Sequence, residues 1–350
     1  MKPSDIFINS AGRLRSGWRF LIFIIVAYLL ASLLFGIVTF ALHQALGRAA
    51  ADQFLAGNWG HLLQSVLLLL IGLLAGWGCG RWLEGLPASA LGWGRHRGWL
   101  RDFLMGSGVG IASLLVAVAL ATLLGGFRFA FDISGNVSAT GQTLVLSLFF
   151  FIIAAAGEET LFRGYPLQTM TRAHLAWVAI LITAALFAQA HLNNPNVEGW
   201  GFLQTPAGGM FRKIGWGFMN TTLAGVWLAV AYLRTRSLWF PLGIHWSWNW
   251  MMGAVLGLPV SGIERLAPSP LMRVTDAGPA WLTGGAYGVE GGAACTVALI
   301  VSTIFIWRSR LVAATPEMLE LTDNENPKER PFPSYPPLPQ SHQPPTSNRS

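Results

Sequence analysis

An all-α bundle of about eight membrane-spanning helices is the architecture this sequence predicts, and three observations predict it. Of the 350 residues, 53% are hydrophobic and only 11% charged, whereas soluble globular chains carry about a quarter charged residues. The 16 Trp and 21 Phe suit a protein that needs amphipathic rings at two lipid–water boundaries. The apolar residues also fall in runs close to the 20 or so that a spanning helix requires. A net charge of +7 does not point to nucleic acid, because the basic residues lie between the apolar runs rather than along one stripe.

The runs cover approximately residues 20–46, 62–80, 103–125, 144–171, 174–191, 214–233, 238–258 and 289–307. The first follows a basic start, Met1 to Arg19, and is too long for the apolar region of a signal peptide, although Ala49-Ala50-Ala51 resembles a cleavage site. It reads as a retained helix. The fourth carries charge in its middle and continues past Gly164 and Pro166 towards Arg172. With the N-terminus inside, 17 of the 23 Lys and Arg lie on the inner side. That bias predicts a multi-pass protein of the cell membrane with both termini cytoplasmic. Between the second and third runs, Trp93, Arg95, Arg97 and Trp99 read as ordinary membrane-edge residues.

Residues 1–315 are expected to form the membrane domain, with the polar core over about 144–258. From 316 to 350 the composition changes, and nine of the 19 prolines fall there; this segment reads as a disordered cytoplasmic tail. Cys79 and Cys295 show neither metal spacing nor a disulfide framework and read as buried small hydrophobes.

The informative residues are the polar ones inside apolar runs. The fourth run places Glu158, Glu159 and Arg163 within FFFIIAAAGEETLFRGYPL. A charge at the centre of a membrane helix costs roughly 2.5–3.5 kcal/mol even on the lenient insertion scale, so these side chains must face the bundle interior and find partners. Glu159 and Arg163 are four apart on one face, acid before base, as an ion pair prefers. Glu158 points about 100° away and stays free for another helix. Phe187 and His191 are four apart near the end of the fifth run, and His245 and Asn249 four apart in the seventh. At about 1.5 Å of rise per residue, Glu158 lies about 20 Å above a turn near Arg172, and His191 roughly 25–28 Å above it. His245, roughly 10–15 Å above Leu238, fits this common level least well.

A free carboxylate and two imidazoles in a dry bundle are the parts of a water-activating site. The carboxylate takes a proton from water and a histidine holds the same water. Another histidine and an amide donate to the oxygen that becomes negative as a peptide carbonyl goes tetrahedral. Glu158, His191 and His245 are equally the donors of a Zn²⁺ site, which also makes a nucleophile of water. The residues alone do not choose between the two.

EETLFR (Glu158 to Arg163), FAQAH (Phe187 to His191) and HWSWN (His245 to Asn249) resemble, in order, the EExxxR, FxxxH and HxxxN motifs of the CPBP intramembrane proteases, which include CAAX proteases and bacteriocin-processing enzymes. The resemblance is strongest over about residues 144–255. It implies a helical membrane bundle that hydrolyses peptide bonds in or beside the bilayer. Glu158 and His191 would activate water, His245 and Asn249 would stabilise the oxyanion, Glu159 and Arg163 would support the site, and Phe187 would pack behind it. Members are often called metalloproteases, while a metal-free, glutamate-driven mechanism has also been argued. Their substrates are prenylated C-terminal peptides, bacteriocin precursors and other membrane-anchored peptides or proteins. Two rival readings, a proton-coupled transporter and a non-catalytic scaffold, are the alternatives. A transporter predicts polar residues spread along a path through broken helices, whereas here they cluster on three helices.

Overall fold

A computed structural model describes residues 4–9, 12–131, 137–197, 215–264 and 266–322. Each of the eight apolar runs contains a helix: α1 (Ser16–Leu46), α2 (Asn58–Glu84), α3 (Trp99–Leu123), α4 (Val137–Phe162) continued by α5 (Tyr165–Arg172), α6 (Ala176–Ala190), α7 (Trp216–Thr235), α8 (Trp239–Trp250) and α9 (Ala293–Arg308). Among the described residues four stretches are long and apolar enough to cross a membrane: α1, α2, α3 and the α4–α5 stretch Val137–Arg172. The helices α6 and α9 are shorter and apolar. Together they make a helical membrane fold.

Four features depart from the sequence reading. The bundle carries a small antiparallel sheet, in which β1 (Phe127–Phe131) pairs with β2 (Met272–Asp276), Phe127 opposite Asp276. Two five-residue strands between long apolar helices leave little periodicity to detect. The fourth run is not one helix, because it breaks at Gly164. The Gly164 amide turns back to the Glu159 carbonyl at 3.0 Å, and Pro166 has no N–H with which to continue the ladder. The seventh run ends in a π-helical turn over Met251–Val255, where the Leu256 amide reaches the Met251 carbonyl at 2.9 Å. Finally, Pro316–Thr322, assigned above to the disordered tail, is a short helix with Met318 buried. Its apolar contact outweighs the proline-rich context; residues 323–350 of the tail lie outside the described part.

The largest core gathers Leu114, Ala117 and Ala121 of α3, Trp227 and Ala231 of α7, Phe240, Ile244 and Trp248 of α8, and Ala298 and Ile306 of α9. Helix α8 is seated by backbone contact with α3. A Cβ on Gly106 or Gly110 would collide with the carbonyls of Phe240 and Ile244, and one on Gly243 with that of Phe103. Small residues at such spacing let membrane helices approach to backbone distance. The Ser247 hydroxyl adds a bond to the Ser107 carbonyl at 2.9 Å.

This seating explains why His245 reaches the level of Glu158. The Leu238 amide donates to the Gly92 carbonyl at 3.0 Å, and the Gln168 side chain donates to the neighbouring Leu91 carbonyl at 2.9 Å. Helix α8 therefore starts level with Gln168 rather than with Arg172. Trp93 and Trp99 also take part in this seam. Both rings pack on Trp239, with centroids 5.2 and 4.8 Å away, and the Trp93 indole donates to Thr160 Oγ1 at 3.0 Å. They tie helices together, while Arg95 and Arg97 are exposed.

Candidate active site

Helix α4 delivers two adjacent glutamates to different surroundings. Glu159 is fully buried. Its Oε1 accepts from Arg163 Nη1 at 3.2 Å and lies 2.8 Å from His245 Nδ1. Arg163, also fully buried, donates from Nη2 to the Gly225 carbonyl of α7 at 3.3 Å and lies over the Phe187 ring, 4.3 Å from its centroid. The i, i+4 pair is thus locked from three sides.

Glu158 faces the other way. Its side chain is 26% exposed, and Oε2 has no hydrogen-bond partner among the described protein atoms. That oxygen lies 3.6 Å from His245 Nε2 and 3.9 Å from His191 Nε2. Both separations exceed a direct hydrogen bond and suit one bridged by water.

The two imidazoles are held by their far nitrogens. His191 ends α6, where Asn193-Asn194-Pro195 stops the helix, and its Nδ1 lies 2.8 Å from the Phe187 carbonyl. A carbonyl only accepts, so Nδ1 carries the proton and Nε2 presents a lone pair towards Glu158. The Glu159 carboxylate does the same for His245 Nδ1. Phe187 packs against both rings, with centroids 4.7 Å from His191 and 6.1 Å from His245. Asn249, one turn beyond His245 and half-buried, lines the same cavity of about 330 Å³ as Glu158, His191 and His245. Residues from three separate helices therefore meet around one space.

Among the described residues no three His, Cys, Asp or Glu side chains are grouped so as to hold a metal ion.

Sequence reasoning missed Glu290, which lines the cavity too. It sits in the glycine-rich GGAYGVEGGA at the very start of the eighth run, where an acid reads as an ordinary helix-end residue. Trp248, read only as part of the HWSWN context, is its partner, with the indole 3.1 Å from Glu290 Oε1.

Neither the curated proteins nor the solved structures hold a match to the chain. A family model does match: residues 140–251 fit the Rce1-like family, described as type II CAAX prenyl endopeptidase Rce1-like. The matched stretch runs from α4 through α8 and contains every motif residue that meets at the cavity. Over these residues the chain carries an Rce1-like domain, the type found in CAAX proteases.

Proposed function

We propose that this protein is an intramembrane endopeptidase that hydrolyses membrane-associated peptides with a water molecule activated by Glu158. The Rce1-like domain supports CAAX-type protease activity in general terms. The observation that carries the mechanism is the unpartnered Glu158 Oε2 set between two imidazole nitrogens in a cavity.

In this reading a water bound by Glu158 and His191 Nε2 attacks the scissile carbonyl carbon, and its proton passes to Glu158. The carbonyl oxygen takes up the negative charge. It is stabilised by the Asn249 amide and by His245, whose ring the Glu159 carboxylate orients through Nδ1. Arg163 holds Glu159 in place through its Nη1 bond to Oε1. When the tetrahedral adduct collapses, the C–N bond breaks and Glu158 returns its proton to the leaving amine. The products are a carboxylic acid and an amine, with no other reactant. The inner-side excess of Lys and Arg supports placing both termini in the cytoplasm.

The test uses purified protein in liposomes with a farnesylated peptide ending in a Cys-aliphatic-aliphatic-X sequence, beside its unprenylated counterpart. Wild-type cleavage that disappears in Glu158→Gln and His191→Ala is the expected result. Full activity in either variant would remove the assigned water site. Cleavage of only the farnesylated peptide assigns prenylated substrates, and cleavage of both assigns membrane-anchored peptides more broadly. Exhaustive chelation followed by metal analysis should leave the rate within about twofold; loss restored only by added Zn²⁺ would overturn the water-only mechanism.

A further inference from the structure

We propose that Glu290, outside the matched family domain, is a positioning residue that fixes His191 relative to His245 and Asn249; this rests on the hydrolytic reading of the cavity. Glu290 stands in a short turn, Val289–Gly291, ahead of α9. Its two oxygens face different parts of the site. Oε1 accepts from the Trp248 indole at 3.1 Å, and Trp248 lies on α8 between His245 and Asn249. Oε2 accepts from the Ser261 amide at 2.6 Å and from its hydroxyl at 3.0 Å.

From Ser261 the connection continues to His191. The Ser261 carbonyl accepts from the Asn194 side chain at 3.1 Å, and the Asn194 amide donates to the His191 carbonyl at 3.0 Å. One carboxylate thus closes a chain of bonds from the turn that ends the FxxxH helix to the helix that bears HxxxN. Glu158, on α4, lies outside that chain, so the distance from its oxygen to the imidazoles depends on where the clamp holds them.

Two further details support a fixed clamp. Ser261 has φ of 48°, a left-handed conformation that residues with a Cβ rarely adopt. It persists with both its amide and its hydroxyl bound to Glu290. The Glu290 backbone is itself held, since the Asn220 side chain donates to its carbonyl at 2.8 Å and to that of Gly292 at 2.9 Å. Glu290 and His191 also line the same cavity.

A Gln at 290 keeps the shape but sets an N–H donor against either the Trp248 indole or Ser261, so one arm of the clamp opens. Misplacing reacting groups by about 1 Å can cost on the order of 100-fold in rate. Glu290→Gln is therefore expected to lower kcat about 10–100-fold on the farnesylated peptide, with KM within about twofold and the thermal midpoint within a few degrees of wild type. Trp248→Phe opens the same arm from the other side, so the double variant should be no slower than Glu290→Gln alone. Losses that multiply, or an unchanged kcat in folded Glu290→Gln, would overturn the proposal.

Amide exchange supplies a readout that needs no substrate. Peptides covering 187–197 and 258–264 should exchange faster in Glu290→Gln than in wild type. Unchanged exchange there sinks the clamp even if no peptide is ever cleaved. If wild type cleaves and Glu158→Gln does not, but Glu290→Gln behaves as wild type in both assays, the clamp fails and the water site stands.

Discussion

Among the described residues, the charges around Glu84 and those around Glu158 are built on opposite principles. Near the start of α1, Glu84 of α2 receives Arg172 of α5 through two bonds, from Nε at 2.9 Å and Nη2 at 3.0 Å, and Arg19 at 2.7 Å. All three side chains are at most 1% exposed. At the cavity, Glu158 keeps a carboxylate oxygen without a protein partner, and its side chain is 26% exposed. A carboxylate saturated by two guanidinium groups is held in its ionised form and cannot exchange a proton usefully. One that faces two imidazole nitrogens across the width of a water can. The two carboxylates differ in what remains of their hydrogen-bonding capacity: both Glu84 oxygens are bound by Arg172, whereas Glu158 Oε2 has no hydrogen-bond partner among the described residues.

The comparison can be broken at either end. The largest effect is expected from Glu158→Gln, which should lower kcat by at least about 1,000-fold while leaving the detergent unfolding midpoint within a few degrees; a collapse of stability would make Glu158 structural instead. Glu84→Gln should do the reverse. Removing one member of a buried ion network costs about 3–5 kcal/mol, visible as a lowered midpoint and less folded protein, yet the molecules that remain folded should cleave at near wild-type kcat. Asn249→Ala should lower kcat about 100-fold, the size of a lost oxyanion donor, with little change in KM. Smallest is Arg172→Lys, in which a point charge replaces the two-pronged contact with Glu84 at a cost of about 2 kcal/mol of stability. Equal losses in Arg172→Lys and Glu84→Gln would mean that charge alone, not the paired geometry, holds that end of the bundle.

How much of this was legible in the chain differs between the two clusters. Glu158, Glu159 and Arg163 announce themselves because acids and bases are costly in an apolar run, and the i, i+4 spacing of Glu159 and Arg163 foretells their pairing. Glu84, Arg19 and Arg172 look like ordinary membrane-edge charges, since each stands at the end of an apolar run. Their pairing joins positions 65 and 88 residues apart, and nothing local records it. Glu290 was missed for the same reason, its partners Trp248 and Ser261 being distant in sequence and the surrounding glycines carrying no motif. The break at Gly164 was half visible: Pro166 forbids a continuous ladder, but the apolar run itself carries on to Arg172.

By itself the sequence determined that the chain is a helical membrane protein, where its eight apolar segments lie, and that Glu158, Glu159 and Arg163 had to face inward, because each of those follows from the local cost of placing a residue in lipid. Only the tertiary structure decided that α8 starts level with Gln168, so that His245 reaches Glu158, and that Glu84 and Glu290 are bound by distant partners. These are distances between segments remote in sequence, set by glycine-mediated helix contact and by hydrogen bonds across the bundle. A linear pattern of hydropathy carries no coordinate for them.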